Sequence, residues 1–198
     1  DHVRLMRTGR YSYHKNYFPF APAGHHLAYL WKAQLTPAWE QHHLEGKTNE
    51  ITGRFFELRV SEEFYDNQSD FDNVHNLIGA PKHQKMIAEL KTALRKKQLE
   101  LHDSGLLPEK MRERRAAKNK VTIYEMVRNE ELYPLETYLD AADLALERDK
   151  ANLGTFKKWM TNDDEGIRWW ASVGLNLLAK DARSANAVLN RALKDESH

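Results

Sequence analysis

The chain opens on short alternating runs and ends on longer helical ones. Val3-Arg4-Leu5-Met6-Arg7 and Tyr11-Ser12-Tyr13-His14-Lys15 predict two strands, and Thr8-Gly9-Arg10 between them supplies a glycine for a hairpin turn. Residues 16–24 carry Pro19, Pro22 and several aromatics and predict a loop. Leu27, Leu30, Trp31 and Leu35 follow helical spacing. Thr36-Pro37 then predicts a second helix, with Thr36 as its cap, Pro37 at its first position, and Trp39 and Leu44 on its inner face. A third short helix is expected over 50–56, after the break at Gly46, then a strand over 60–66 and a polar turn over 67–73.

Pro81 opens the clearest helix. Met86, Ile87, Leu90, Ala93, Leu94 and Leu101 mark one face, and Asp103-Ser104-Gly105 marks its stop. Beyond it no strand pattern occurs. Four further helices are predicted from apolar spacing, around Leu135 to Leu146 (after Pro134), Leu153 to Met160, Ile167 to Leu178 and Ala185 to Leu193. Phe156-x-x-x-Met160 with Asp163 is echoed by Leu189-x-x-x-Leu193 with Asp195, an offset of 32 residues between the aspartates. That period, with Asp163-Asp164-Glu165-Gly166-Ile167-Arg168-Trp169-Trp170-Ala171, is similar to a HEAT-like helical hairpin array that breaks off at the end of the chain.

The expected fold class is therefore α+β: a small antiparallel sheet packed by a long helix over 1–108, a connector over 109–132, and an all-α HEAT-like segment over 133–198. The connector is marked by charge. Residues 82–120 hold twelve Lys/Arg against five Asp/Glu, whereas 121–165 hold five against eleven.

Composition narrows the chemistry. The 198 residues are 30% charged and 41% hydrophobic with net charge +1, so no global field selects nucleic acid or an anionic membrane. No apolar run nears the roughly 20 residues of a membrane span. The start, Asp1-His2-Val3-Arg4, has neither Met nor an apolar signal region and reads as part of a longer chain. With no cysteine, disulfides, thiolate zinc sites and cysteine nucleophiles are excluded.

Several clusters have a functional and a plain reading. His25-His26 and His42-His43 offer imidazoles, but adjacent histidines on a helix point about 100° apart, which favours surface or packing roles over metal ligation. Asp66, Gln68, Asp70 and Asp72 alternate like a calcium loop. Phe71 and Leu77 stand where that loop needs glycine and glutamate, so a polar turn is expected. Arg112, Arg114, Arg115, Lys118 and Lys120 form a basic run without interleaved aromatics, which reads as a helix face or linker lying against the acidic stretch that follows, not a nucleic-acid site. One tryptophan of Trp169-Trp170 fits the core, and the other suits a neighbouring repeat or a protein partner of the helical tail.

The order of motifs over 3–108 resembles the C-terminal subdomain of sulfatases, especially the heparan N-sulfatase (sulfamidase) branch and its bacterial relatives. Val3 to Tyr13, with Thr8-Gly9-Arg10-Tyr11, is similar to that family's hairpin, with Ser12 where lysine is common. Asn16-Tyr17-Phe18-Pro19 follows as the family's Asn-Tyr-x-Pro does. Glu62-Glu63-Phe64-Tyr65-Asp66, then Asp70 and Asn76-Leu77, is similar to a third signature, with Phe71 in place of proline. The helix from Pro81 to Asp103 matches the closing helix.

The resemblance implies a preceding α/β catalytic domain of the alkaline phosphatase superfamily as partner. That domain would carry calcium and a formylglycine made in Cys/Ser-x-Pro-x-Arg. The residues two before each proline here are Tyr17, Phe20, Leu35, Gly79, Leu106 and Leu132, so the motif is absent and no catalytic or metal residue is assigned. The chain is expected to be inactive alone, in a parent that is periplasmic or secreted and acts on a sulfated saccharide. The candidate substrate-binding residues lie on the loop after the second strand: Asn16, Tyr17, Phe18, His25 and His26. The rival reading is a HEAT-like protein-interaction module.

Overall fold

The computed structural model describes residues 2–195, and it is α+β, with a three-stranded antiparallel sheet and several helices. The residues fall into two compact units, divided between Leu94 and Arg95.

In the first unit, β1 (Val3–Arg7), β2 (Tyr11–Asn16) and β3 (Glu62–Asp66) pair in the order β1-β2-β3. The register sets Met6 opposite Tyr13 and Tyr13 opposite Phe64. Side chains alternate across a strand, so these three share one face. Helix α3 (Gln84–Leu101) lies on it, and Ile87, Leu90 and Leu94 complete a core with Tyr13 and Phe64. Two members of the predicted helix face, Ala93 and Leu101, are exposed instead. Arg10 closes the hairpin end by a bidentate pair to Asp66, Nε to Oδ1 at 2.9 Å and a terminal nitrogen to Oδ2 at 2.5 Å.

The stretch joining β2 to β3 is built differently. The predicted helix through Leu27 and Leu30 is reduced to a single 3-10 turn, Leu30–Lys32. Helix α1 (Leu35–Leu44) begins before Thr36, with Gln34 at its cap position, so Thr36 sits inside the first turn and caps nothing. Helix α2 (Glu50–Gly53) has a reciprocal cap between Asn49 and Thr52 and runs into a 3-10 turn, Arg54–Phe56. Between Tyr17 and Phe64 the only buried residues are Pro19, Gly24 and Gly53.

The second unit is helical: α4 (Glu109–Lys118), α5 (Ile123–Met126), α6 (Leu135–Leu146), α7 (Leu153–Trp159), α8 (Glu165–Leu178) and α9 (Asn186–Ala192). The basic run from Arg112 to Lys118 lies on helix α4, with Lys120 just beyond it, and α5 carries its own capping box from Thr122 and Glu125. Helix α8 centres the packing by means of two glycines. A Cβ on Gly166 would meet Tyr138 and Leu107 at 2.7 Å, and one on Gly174 would meet the Phe156 ring at 2.7 Å. Trp170 is buried and Trp169 half-buried. Among the described residues no strand follows Asp66, and no helix is long and apolar enough to cross a membrane.

Candidate functional site

The loop after β2 starts from a fixed base. Asn16 is buried at the end of the strand; its amide nitrogen donates to the Val60 carbonyl at 3.2 Å, and its Oδ1 accepts from the Phe18 N–H at 3.0 Å. Tyr17 is also buried, its N–H bonded to the His2 carbonyl at 3.0 Å and the Lys15 ammonium 5.4 Å from its ring centroid. Phe18 stacks on His2 at 4.8 Å and leans on Phe20 at 4.0 Å. The loop is then clipped to the chain before β3: Pro22 bridges to Leu58, and the Gly24 N–H donates to the Phe55 carbonyl at 2.7 Å. Gly24 is required there, because a Cβ would fall 2.6 Å from the Phe55 ring.

His25 and His26 follow that clip and are exposed. His26 lies 4.8 Å from the Trp31 ring, and the indole is held by a 2.7 Å bond from its Nε1 to Glu40. The five predicted residues thus divide by position. Asn16 and Tyr17 form the interior base, Phe18 is half-buried beside it, and the two histidines are exposed.

Sequence reasoning missed a polar set on the sheet face opposite the core. Ser12 and Tyr65 are buried there and stand opposite each other in the register. The Ser12 hydroxyl is 3.2 Å from His14 Nε2 and 3.2 Å from Asn67 Oδ1, and the Tyr65 hydroxyl donates to Glu63 at 2.8 Å. Burial pushes the His14 imidazole below its usual range, and Arg59 adds to this while Glu63 opposes it. The period-two pattern Ser12, His14, Asn16 carried the signal for this set.

The other clusters have structural roles. Asp70 accepts the N–H groups of Val74 and His75 at 2.9 and 2.8 Å, and Asp66 is taken by Arg10, so this alternation serves a turn. His43 bonds Thr48 at 2.9 Å and stacks on Phe56. Among the described residues, no group of three or more His, Asp or Glu could hold a metal ion.

In the helical unit, Arg114 reaches Glu165 at 2.6 Å, and Arg115 reaches Glu165 at 3.1 Å, the Leu132 carbonyl at 3.1 Å, Tyr138 and Asp164. The basic run does lie against acidic residues of the following stretch. Burial opposes the charge of Arg115, yet Tyr138 and Asp164 outweigh it and hold the guanidinium protonated; burial, with Asp164 beside it, pushes the Tyr138 phenol up. The cleft above this network, ≈ 500 Å³, is lined by Lys118, Glu131 and Asp163 as well, and its charges of both signs favour no one ion. Beside it Met111, Met160, Trp169 and Ala192 line an apolar groove of ≈ 290 Å³.

The sequence is similar to an ulvan-active sulfatase of Formosa agariphila. The two are 30% identical over 112 residues, which cover 55% of this chain and 18% of that protein. The chain thus carries a sulfatase-related region, and it corresponds to only a small part of that relative's length. No protein-family profile matches the chain, and no solved structure matches it. These comparisons give the helical-repeat reading no support.

Proposed function

We propose that the chain is the non-catalytic C-terminal portion of a sulfatase, supplying scaffold and one wall of the substrate pocket. The observation that carries this is the 112-residue similarity to a sulfatase of much greater length. It agrees with the motif order over 3–108. In this reading the partner is a preceding catalytic domain, which holds the formylglycine nucleophile and the calcium ion. The parent hydrolyses sulfate esters or N-sulfates of a saccharide. The sulfatase it resembles is active on ulvan, which makes ulvan the first substrate to try.

The loop is the part of this chain suited to reach a cleft, because a rigid scaffold positions it while leaving its tip free. Asn16, Tyr17 and Phe18 hold its base. His25 and His26 are the groups able to donate hydrogen bonds to hydroxyl or sulfate oxygens. The test is an aryl-sulfate assay on the 198-residue chain and on the longer polypeptide that contains it. The longer polypeptide turns over and the chain alone does not. In the active polypeptide, His25→Ala raises KM about tenfold, equivalent to about 1.4 kcal/mol, with melting unchanged. Turnover by the chain alone, or a longer polypeptide without sulfatase activity, contradicts the proposal.

A further inference from the structure

The helical unit has an apolar groove that its own packing leaves unfilled. Met111 and Met160 line it from the interior, and Ala192 and the half-buried Trp169 complete the apolar lining. Trp169 differs from the other tryptophans of the chain. Trp31 and Trp39 donate their indole N–H groups to Glu40 and to the Thr52 carbonyl, Trp159 packs edge-on against Phe156, and Trp170 is buried. Among the described residues Trp169 has neither a ring neighbour nor an acceptor for its indole N–H. Methionine side chains are unbranched and polarizable, and they adapt to a ring or alkyl chain laid against them. The groove measures ≈ 290 Å³, at the small end of ligand cavities, which suits a single ring or a short chain.

Charge decides what such an occupant carries. Lys110, Arg114 and Arg168 line the groove against Glu165 and Asp195, a surplus of one cation. Both carboxylates are already answered. Glu165 accepts from Arg114 at 2.6 Å and from Arg115 at 3.1 Å, and Asp195 accepts from Arg168 through both oxygens, at 2.6 and 3.0 Å. The partner of Lys110 is Glu113, in an exposed pair of the kind that water and salt weaken. A cationic head would thus meet carboxylates held by arginines, whereas an anionic head meets a loosely held ammonium. The neighbouring cleft has no such bias, because four cations and four carboxylates line it. We infer that the groove binds a small amphiphilic anion: one ring or a short alkyl chain against the methionines and Trp169, ending in a carboxylate or sulfate that pairs with Lys110. The site lies wholly in the helical unit and does not depend on the sulfatase reading.

The experiment titrates the 198-residue chain by calorimetry with octanoate, octyl sulfate, octanol and octylamine, which share a tail and differ in their heads. At least one of the two anions binds at a single site with a dissociation constant on the order of 0.1 mM. The tighter of the two identifies the head group. Octanol and octylamine bind about tenfold more weakly, or not at all. Lys110→Glu alters a side chain that is 89% exposed, so the fold is kept. It brings the anion and octanol within about threefold of each other. Trp169→Ala weakens the anion and octanol alike, by about tenfold. The inference is overturned if neither anion binds saturably by about 5 mM, or if octanol or octylamine binds as tightly as the anions. It is also overturned by anion binding that neither substitution alters, since the site is then elsewhere. Anion binding that is lost in the natural polypeptide containing this chain overturns it too, because further residues then fill the groove.

Discussion

Two stretches of comparable length in this chain form helices under opposite conditions. Between β2 and β3, α1 and α2 form with no buried large apolar side chain. In the helical unit, α6, α7 and α8 close around Tyr138, Leu139, Phe156, Trp170 and Leu175, all nearly inaccessible to water. The contrast lies in side-chain size against backbone approach. Gly166 and Gly174 let α8 come close enough for rings to fill the gap, and dense interiors of that kind supply most of a fold's stability. Trp39, Phe55 and Phe56 are as large, but they stay half-buried, packed on one another, Gly24 and His43. The helical unit has a dense interior of its own, and the stretch over 27–60 has little.

The sharpest way to break this comparison is to delete one ring from each stretch. Phe156→Ala is expected to cost about 3–5 kcal/mol, with a large loss of Tm in the helical unit. Phe55→Ala in the aromatic cluster is expected to cost about 1 kcal/mol or less, because the removed surface is already partly wet. Equal losses in urea titrations would show that the two stretches are packed alike.

A smaller effect is expected at Arg115. Its side chain is 12% exposed, and Arg115→Met leaves Glu165 and Asp164 with fewer donors. Removing one partner of a buried pair costs about 3–5 kcal/mol, and the partial exposure of both carboxylates reduces that to about 2 kcal/mol. A midpoint in urea unchanged by the substitution would mean the network is ornamental.

Acid tests the sheet unit. The Arg10 guanidinium, with the Gln68 N–H, holds the Asp66 carboxyl well below the usual carboxylate range. A folded-state value below the unfolded one gives stability that is complete above the unfolded pKa of about 4 and is lost as pH falls below it. Asp66→Asn removes that part of the acid sensitivity. If the variant keeps the same pH slope between about pH 4 and 2, the pair contributes nothing. The smallest effect belongs to the exposed leucines: Leu35→Glu in the 198-residue chain stays within about 0.5 kcal/mol, by thermal melting.

Legibility followed the same division. The hairpin was readable because Thr8-Gly9-Arg10 and the alternation of Tyr11, Ser12 and Tyr13 fix turn and register locally, and β1 and β2 lie where the pattern put them. The long helix was readable from Ile87, Leu90 and Leu94, which do meet the sheet. Leu27, Leu30 and Leu35 misled, because helical spacing records a face without recording whether anything within the chain meets it. Helix α4 was half visible: its basic run suggested a helix face or linker against the acidic stretch, as Arg114 and Arg115 do meet Glu165, while Met111 and Ala116 on its inner side were too few to mark a period. At the candidate site the sequence located the loop but not its burial. Nothing in Asn16-Tyr17-Phe18 distinguishes a strand-end anchor from an exposed contact, since that depends on Val60 and His2, distant or terminal in sequence.

Residues 27–60 have little interior support within this chain, and amide hydrogen exchange measures that directly. On the 198-residue chain at neutral pH, the amides of α1 are predicted to exchange by local opening, with protection of about 10- to 100-fold, while those of α8 exchange only through opening of the whole helical unit, at about 10⁴-fold or more. Protection in α1 equal to that in α8 would contradict this, because the stretch would then be held as firmly as the helical unit.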